Sequence, residues 1–89
     1  MRAVISVTGR DNVGIIAKVS ALCADYDANI LDISQTVLGD YFAMIMLIDI
    51  SKLSVKLTQF ADILDETADH NKLKIHIMHE DIFNSMHKI

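Results

Sequence analysis

The chain has no proline or tryptophan, only one cysteine and three glycines, and an aromatic content of 6%. Each shortage excludes something. Without proline, low-complexity segments or charge blocks, nothing marks a linker, so residues 1–89 read as one compact domain. The lone Cys23 cannot form an internal disulfide. Its place on the apolar side of a predicted helix makes it a small buried hydrophobe in a reducing compartment, and the cytoplasm is the expected location. Basic residues are also scarce: 8 Lys and Arg against 12 Asp and Glu give a net charge of -4, which is no footprint for nucleic acid. An RNA-reading sheet would further need stacking aromatics on its first strand, and Ala3 to Thr8 carries none. The longest apolar run, Tyr41 to Ile48, falls well short of the ~20 residues a membrane-spanning helix needs, so it predicts a buried strand. Polar residues appear by Ser6 and Thr8, too early for the apolar stretch of a signal peptide, and export is not expected.

Catalytic and metal-binding patterns are missing as well. No Ser, His and Asp set and no Cys and His pair emerges from the spacing. The first loop has no cysteine, and His76 and His79, three apart on a predicted strand, point to opposite faces. No metal, cofactor or enzymatic activity is expected.

What is present is regular periodicity. Ala3, Ile5 and Val7 alternate with Val4, Ser6 and Thr8, which predicts a strand. From Val13 to about Asp27, Ile15, Val19, Leu22 and Tyr26 recur at helical spacing, with Ile16 and Cys23 widening the stripe. A second strand from about Ile30 to Leu38 and a third from Tyr41 to Ile50 flank Gly39-Asp40, the turn of a hairpin. Ser54 is positioned to cap a second helix in which Leu57, Phe60, Ala61, Leu64 and Ala68 form the buried stripe, while Asp62, Asp65, Glu66 and Asp69 form a solvated face. Leu73, Ile75 and Ile77 alternate with Lys74 and His76 in a last strand. Residues 79–89 form a tail in which Ile82, Phe83, Met86 and Ile89 fall at helical spacing.

The order strand, helix, strand, strand, helix, strand predicts an α+β fold: a ferredoxin-like βαββαβ sandwich with a four-stranded antiparallel sheet, two helices on one face and a short C-terminal helix. Strands one and three are then central. The third strand is apolar on both faces, so one side of the sheet needs a cover: a second sheet, a partner subunit or the docked tail. At this length one modest core forms, and an oligomer interface would add stability.

The richest segment is Gly9-Arg10-Asp11-Asn12-Val13-Gly14-Ile15-Ile16-Ala17, where the first strand meets the first helix. Unpaired amides at a helix start, near Asn12, Val13 and Gly14, suit a carboxylate, and Asp11 beside them suits an ammonium, together a fit for a free amino acid. The same residues also serve as a plain helix cap, with Gly9 and Gly14 easing a tight turn.

The pattern Gly-x-Asp-x-x-Gly-Ile-Ile-Ala, the segment Asn29-Ile30-Leu31-Asp32 opening the second strand, and the element order together resemble an ACT domain over nearly the whole chain. The ending His79-Glu80-Asp81-Ile82-Phe83-Asn84-Ser85-Met86-His87 is similar to that of small stand-alone prokaryotic ACT-domain proteins, akin to the ACT modules of glycine cleavage system regulators. The resemblance implies a regulatory homodimer that binds an amino acid at its interface. Asp11, Asn12, Val13, Gly14 and Ile15 would line that site, with Asn29, Ile30 and Asp32 opposite. The protein so regulated is not named by the sequence. Many relatives carry Arg-Pro where this chain has Asn12-Val13, which removes a charge and a rigidifying ring from the loop.

Two rival readings use the same fold. An acylphosphatase-like hydrolase would cast Arg10 as the phosphate cradle and Asn29 as the water-orienting residue, but the loop lacks that class's glycine-rich pattern ending in arginine, so Arg10 reads as a solvated loop residue. A ligand-free protein-interaction or dimerisation module would use the sheet face and tail, yet it has no need of Asp11 together with Gly14.

Overall fold

A computed structural model describes residues 1–10 and 14–86. The elements run β1 (Arg2–Arg10), α1 (Ile15–Asp25), β2 (Asn29–Leu38), β3 (Tyr41–Asp49), α2 (Leu57–Asn71), β4 (Leu73–His79) and α3 (Glu80–Met86). The four strands form one antiparallel sheet in the order β2-β3-β1-β4, so β1 and β3 are central and β2 and β4 are edges. This is the expected ferredoxin-like sandwich.

Alternation along the strands builds the core. Ala3, Ile5 and Val7 of β1 and Met44, Met46 and Ile48 of β3 turn the same way and are fully buried. Against them pack Ile15, Val19 and Cys23 of α1 and Phe60, Leu64 and Ala68 of α2. The Tyr26 and Phe60 rings meet with centroids 5.8 Å apart and a tilt of 59°, a favourable edge-leaning geometry. Leu22 and Tyr26 are only half-buried against this core, and Ile16 points outward, which narrows the expected α1 stripe.

Three local expectations are corrected. Gly9 and Arg10 lie inside β1, paired with Phe42 and Tyr41 of β3, because ladders on either side carry the strand further than its own alternation suggests. Gly9 therefore serves close packing rather than a turn: a Cβ there would lie 2.5 Å from the Leu73 Cδ2 atom. Ser54 does not cap α2. Its N–H donates to the Tyr26 carbonyl at 2.9 Å, and the helix starts later, where the Gln59 side-chain oxygen accepts the Lys56 N–H at 3.0 Å.

The tail docks on its own sheet. α3 lies against β1 and β4 on the face away from the long helices, where Arg2 pairs with Glu80 at 2.8 Å and Val4 is only 5% exposed. It shields only that end. Leu38 and Tyr41 at the other end of this face and Ile45 at its middle stay exposed, as do Ile82 and Met86 of α3 itself.

Burial drives the Cys23 thiol up to about 11 from an ordinary 9.0, because a thiolate has no water to solvate it there. An acid whose folded pKa is raised contributes its full stability below the unfolded pKa and loses it as pH climbs. Urea unfolding is therefore expected to show stability falling between pH 9 and 11, and Cys23→Ser to remove that decline from what remains. In native protein, Cys23 should react with a thiol reagent only at the rate of global opening.

Candidate functional site

Asp11, Asn12 and Val13 lie outside the described residues. Their flanks define the geometry. Arg10 ends β1 beside Tyr41, and Gly14 precedes α1 as its cap residue in the left-handed conformation (φ 87°, ψ 8°), with no capping side chain among the described residues. The first amides of α1 consequently have no side-chain acceptor from the cap residue. Gly14 meets nothing within 4 Å of a built Cβ, so the positive φ alone requires glycine. Gly14→Ala is expected to cost about 1 kcal/mol, a midpoint fall of roughly 4 to 8 °C in thermal unfolding.

The other predicted residues stand elsewhere. Asn29 opens β2 opposite Asp49, at the end of the sheet where β1 begins. It lines a hollow of about 430 Å³ with Asp27 and Ala28. Ile30 pairs with Ile48 on the core side and is half-buried. Leu31 is a bulge between Ile30 and Asp32, and the exposed Asp32 side chain accepts the N–H of Ile33 at 2.9 Å. Between the level of Arg10 and Tyr41 and the level of Asn29 and Asp49, the sheet runs for eight residues, about 27 Å at the usual rise. Within one protomer, then, Gly14 and Ile15 belong to one end of the sheet and Asn29, Ile30 and Asp32 to the other. The expected facing halves do not meet inside a single chain.

A feature that sequence reasoning missed lies at the Arg10 end. Thr8, Arg10, Tyr41, Lys72 and Lys74 line a cleft of about 530 Å³. Beside it, Thr36, Leu38, Tyr41 and Ala43 line an apolar hollow of about 270 Å³. The register that assembles these residues joins segments more than sixty positions apart, which no local pattern reports.

Among the described residues no cluster of His, Cys, Asp and Glu is placed to hold a metal, and no helix is long and apolar enough to cross a membrane.

Comparison with known proteins places this geometry in a family. The ACT domain family model matches residues 2–78. The UPF0237 protein of Clostridium perfringens is 49% identical over 89 residues, covering 100% of both chains. Among solved structures, the ACT domain protein from Streptococcus pneumoniae superimposes with a TM-score of 0.81 at 37% identity, covering 93% of each chain. A protein assigned as a glycine cleavage system transcriptional repressor is similar at a TM-score of 0.72 and 25% identity, over 86% of this chain and 44% of that one. With the family model matching residues 2–78 and relatives this similar over nearly the whole chain, the protein belongs to the ACT domain family and is a regulatory module of that fold.

Proposed function

We propose that the protein is an amino-acid-responsive regulatory homodimer whose ligand lies between the β1–α1 loop of one protomer and the start of β2 of the other. The observation that carries this reading is the separation of the two half-sites along the sheet, combined with an unprotected β2 edge. β2 is ten residues long, has no proline or lysine, and exposes Leu31, Ile33, Val37 and Leu38. Such an edge invites pairing with another strand. The opposite edge, β4, carries Lys74 and His76 and is packed against α2. If two β2 edges pair antiparallel about a two-fold axis, the Asn29 end of one copy lies beside the Leu38 end of the other. That is the end at which β1 leaves the sheet and Gly14 starts α1.

In this arrangement the amides from Asn12 to Ile15 hold the ligand carboxylate, Asp11 holds its ammonium, and Asn29, Ile30 and Asp32 of a second copy read the remainder. Ligand binding then favours one dimer arrangement over another by the difference between its affinities for the two. That shift is the signal passed to a regulated protein. No cofactor takes part.

Thermal unfolding against a panel of free amino acids, glycine and serine included, tests the reading. A ligand at about 100 times its Kd adds about 2.7 kcal/mol. For a domain this size the midpoint rises by roughly 10 to 20 °C. The rise is expected for few members of the panel and is expected to vanish in Asp11→Ala. No rise with any amino acid would overturn the sensor and favour a ligand-free interaction module, for which the exposed Ile82 and Met86 of α3 speak.

A further inference from the structure

Three of the eight Lys and Arg side chains in this acidic protein converge on one cleft. Arg10 stands across from Tyr41, and Thr8 across from Lys74, so all four project from the sheet face opposite the long helices. Lys72 joins them from the turn between α2 and β4. Among the described residues no carboxylate lines the cleft and none of the three cations forms an ion pair. Like charges gathered without a counterion repel one another, so the fold itself gains nothing from the cluster. Lys72 adds a second cost. It holds the left-handed conformation (φ 55°, ψ 43°) that ends α2, a position where glycine is the unstrained residue. A strained residue carrying a charged side chain at a cleft points to a ligand.

We propose that this cleft binds a small anion bearing two or more charges, a phosphate ester or a polycarboxylate. Arg10, Lys72 and Lys74 face its charged head, and the hydroxyls of Thr8 and Tyr41 donate to its oxygens. The adjoining hollow, which shares Thr8 and Tyr41 with the cleft, takes an apolar body lying along the tyrosine ring. The charged cleft spans β1, β3 and β4 and its hollow reaches Thr36 and Leu38 of β2, but its cations are not residues of the amino-acid site, so the two readings are tested separately.

Calorimetric titration and thermal unfolding of the full chain with inorganic pyrophosphate, citrate and acetate, at matched ionic strength, test it. Pyrophosphate or citrate is expected to bind and raise the midpoint, and acetate to leave it unchanged. A response to pyrophosphate alone assigns a phosphate ester, and one to citrate alone a polycarboxylate. Arg10→Ala and Lys74→Ala are each expected to weaken binding about tenfold, while Lys52→Ala leaves it intact. Lys72→Gly separates strain from function: the unliganded midpoint should rise by roughly 4 °C as the left-handed strain is relieved, while anion affinity falls. No binding of either polyanion, equal midpoint rises with acetate, or undiminished affinity in Arg10→Ala and Lys74→Ala would overturn the proposal.

Discussion

Phe60→Ala is expected to remove about 3 to 5 kcal/mol of folding stability, the largest loss from any single truncation in this core. Phe60 is fully buried, heads the largest enclosed side chains, and touches both layers of the sandwich: the Tyr26 ring at the end of α1 and the sheet residues beneath α2. Truncation to alanine deletes the ring, forfeits the aromatic contact and leaves a void that a small close-packed core cannot refill. Domains of this size carry about 5 to 15 kcal/mol in total, so the variant should lose a large share of its stability and unfold at a markedly lower urea concentration. Urea denaturation followed by far-UV circular dichroism measures it. Leu38→Ala, truncating a side chain that is 76% exposed, supplies the comparison and should change stability by less than about 0.5 kcal/mol in a monomer. A loss for Phe60→Ala as small as that would mean the core is not organised around α2 as described.

The double substitution Ile33→Lys and Val37→Lys is expected to convert the proposed β2-paired dimer to a monomer. Both positions lie on the free edge strand β2, turn to the same side of the sheet, and are 38% and 63% exposed, so the protomer has little packing to lose there. Two β2 edges pairing about a two-fold axis would bring four added ammonium groups together. Like-charge juxtaposition at an interface costs several kcal/mol. Dimer affinity should fall about 100-fold or more, measured by sedimentation velocity, with the circular dichroism spectrum unchanged. The amino-acid response should disappear with the dimer, since each ligand would lose half of its site. If the double variant stays dimeric, subunits meet through another surface, with Tyr41 and Ile45 on the far sheet face the apolar candidates, and the shared β2 site fails.

Much of this fold was legible in sequence because its signals are local and periodic. The alternation of Ala3, Ile5 and Val7 and the helical spacing of Phe60, Leu64 and Ala68 each need only a few neighbouring residues to declare a buried face. Gly39, at φ 60°, turned the hairpin as expected. Element ends were less legible because they are settled by competition. The Ser54 N–H was taken by the Tyr26 carbonyl from another part of the chain, and α2 began at the Lys56 and Gln59 pair instead. Ile16, apolar and well spaced for the α1 stripe, faces out because α1 presents a narrower face to the sheet than its composition offers.

The candidate sites divide along the same line. By itself the sequence determined the elements, their order, the core and the resemblance to ACT domains, since each rests on patterns within a few turns or strands. Only the tertiary structure decided that Asn29 and Asp32 stand a sheet-length away from Gly14, and that Arg10, Lys72 and Lys74 share one cleft. The physical reason is register: an antiparallel ladder is set by the sum of pairings between strands far apart in the chain, and that sum assigns each side chain its end and its face of the sheet.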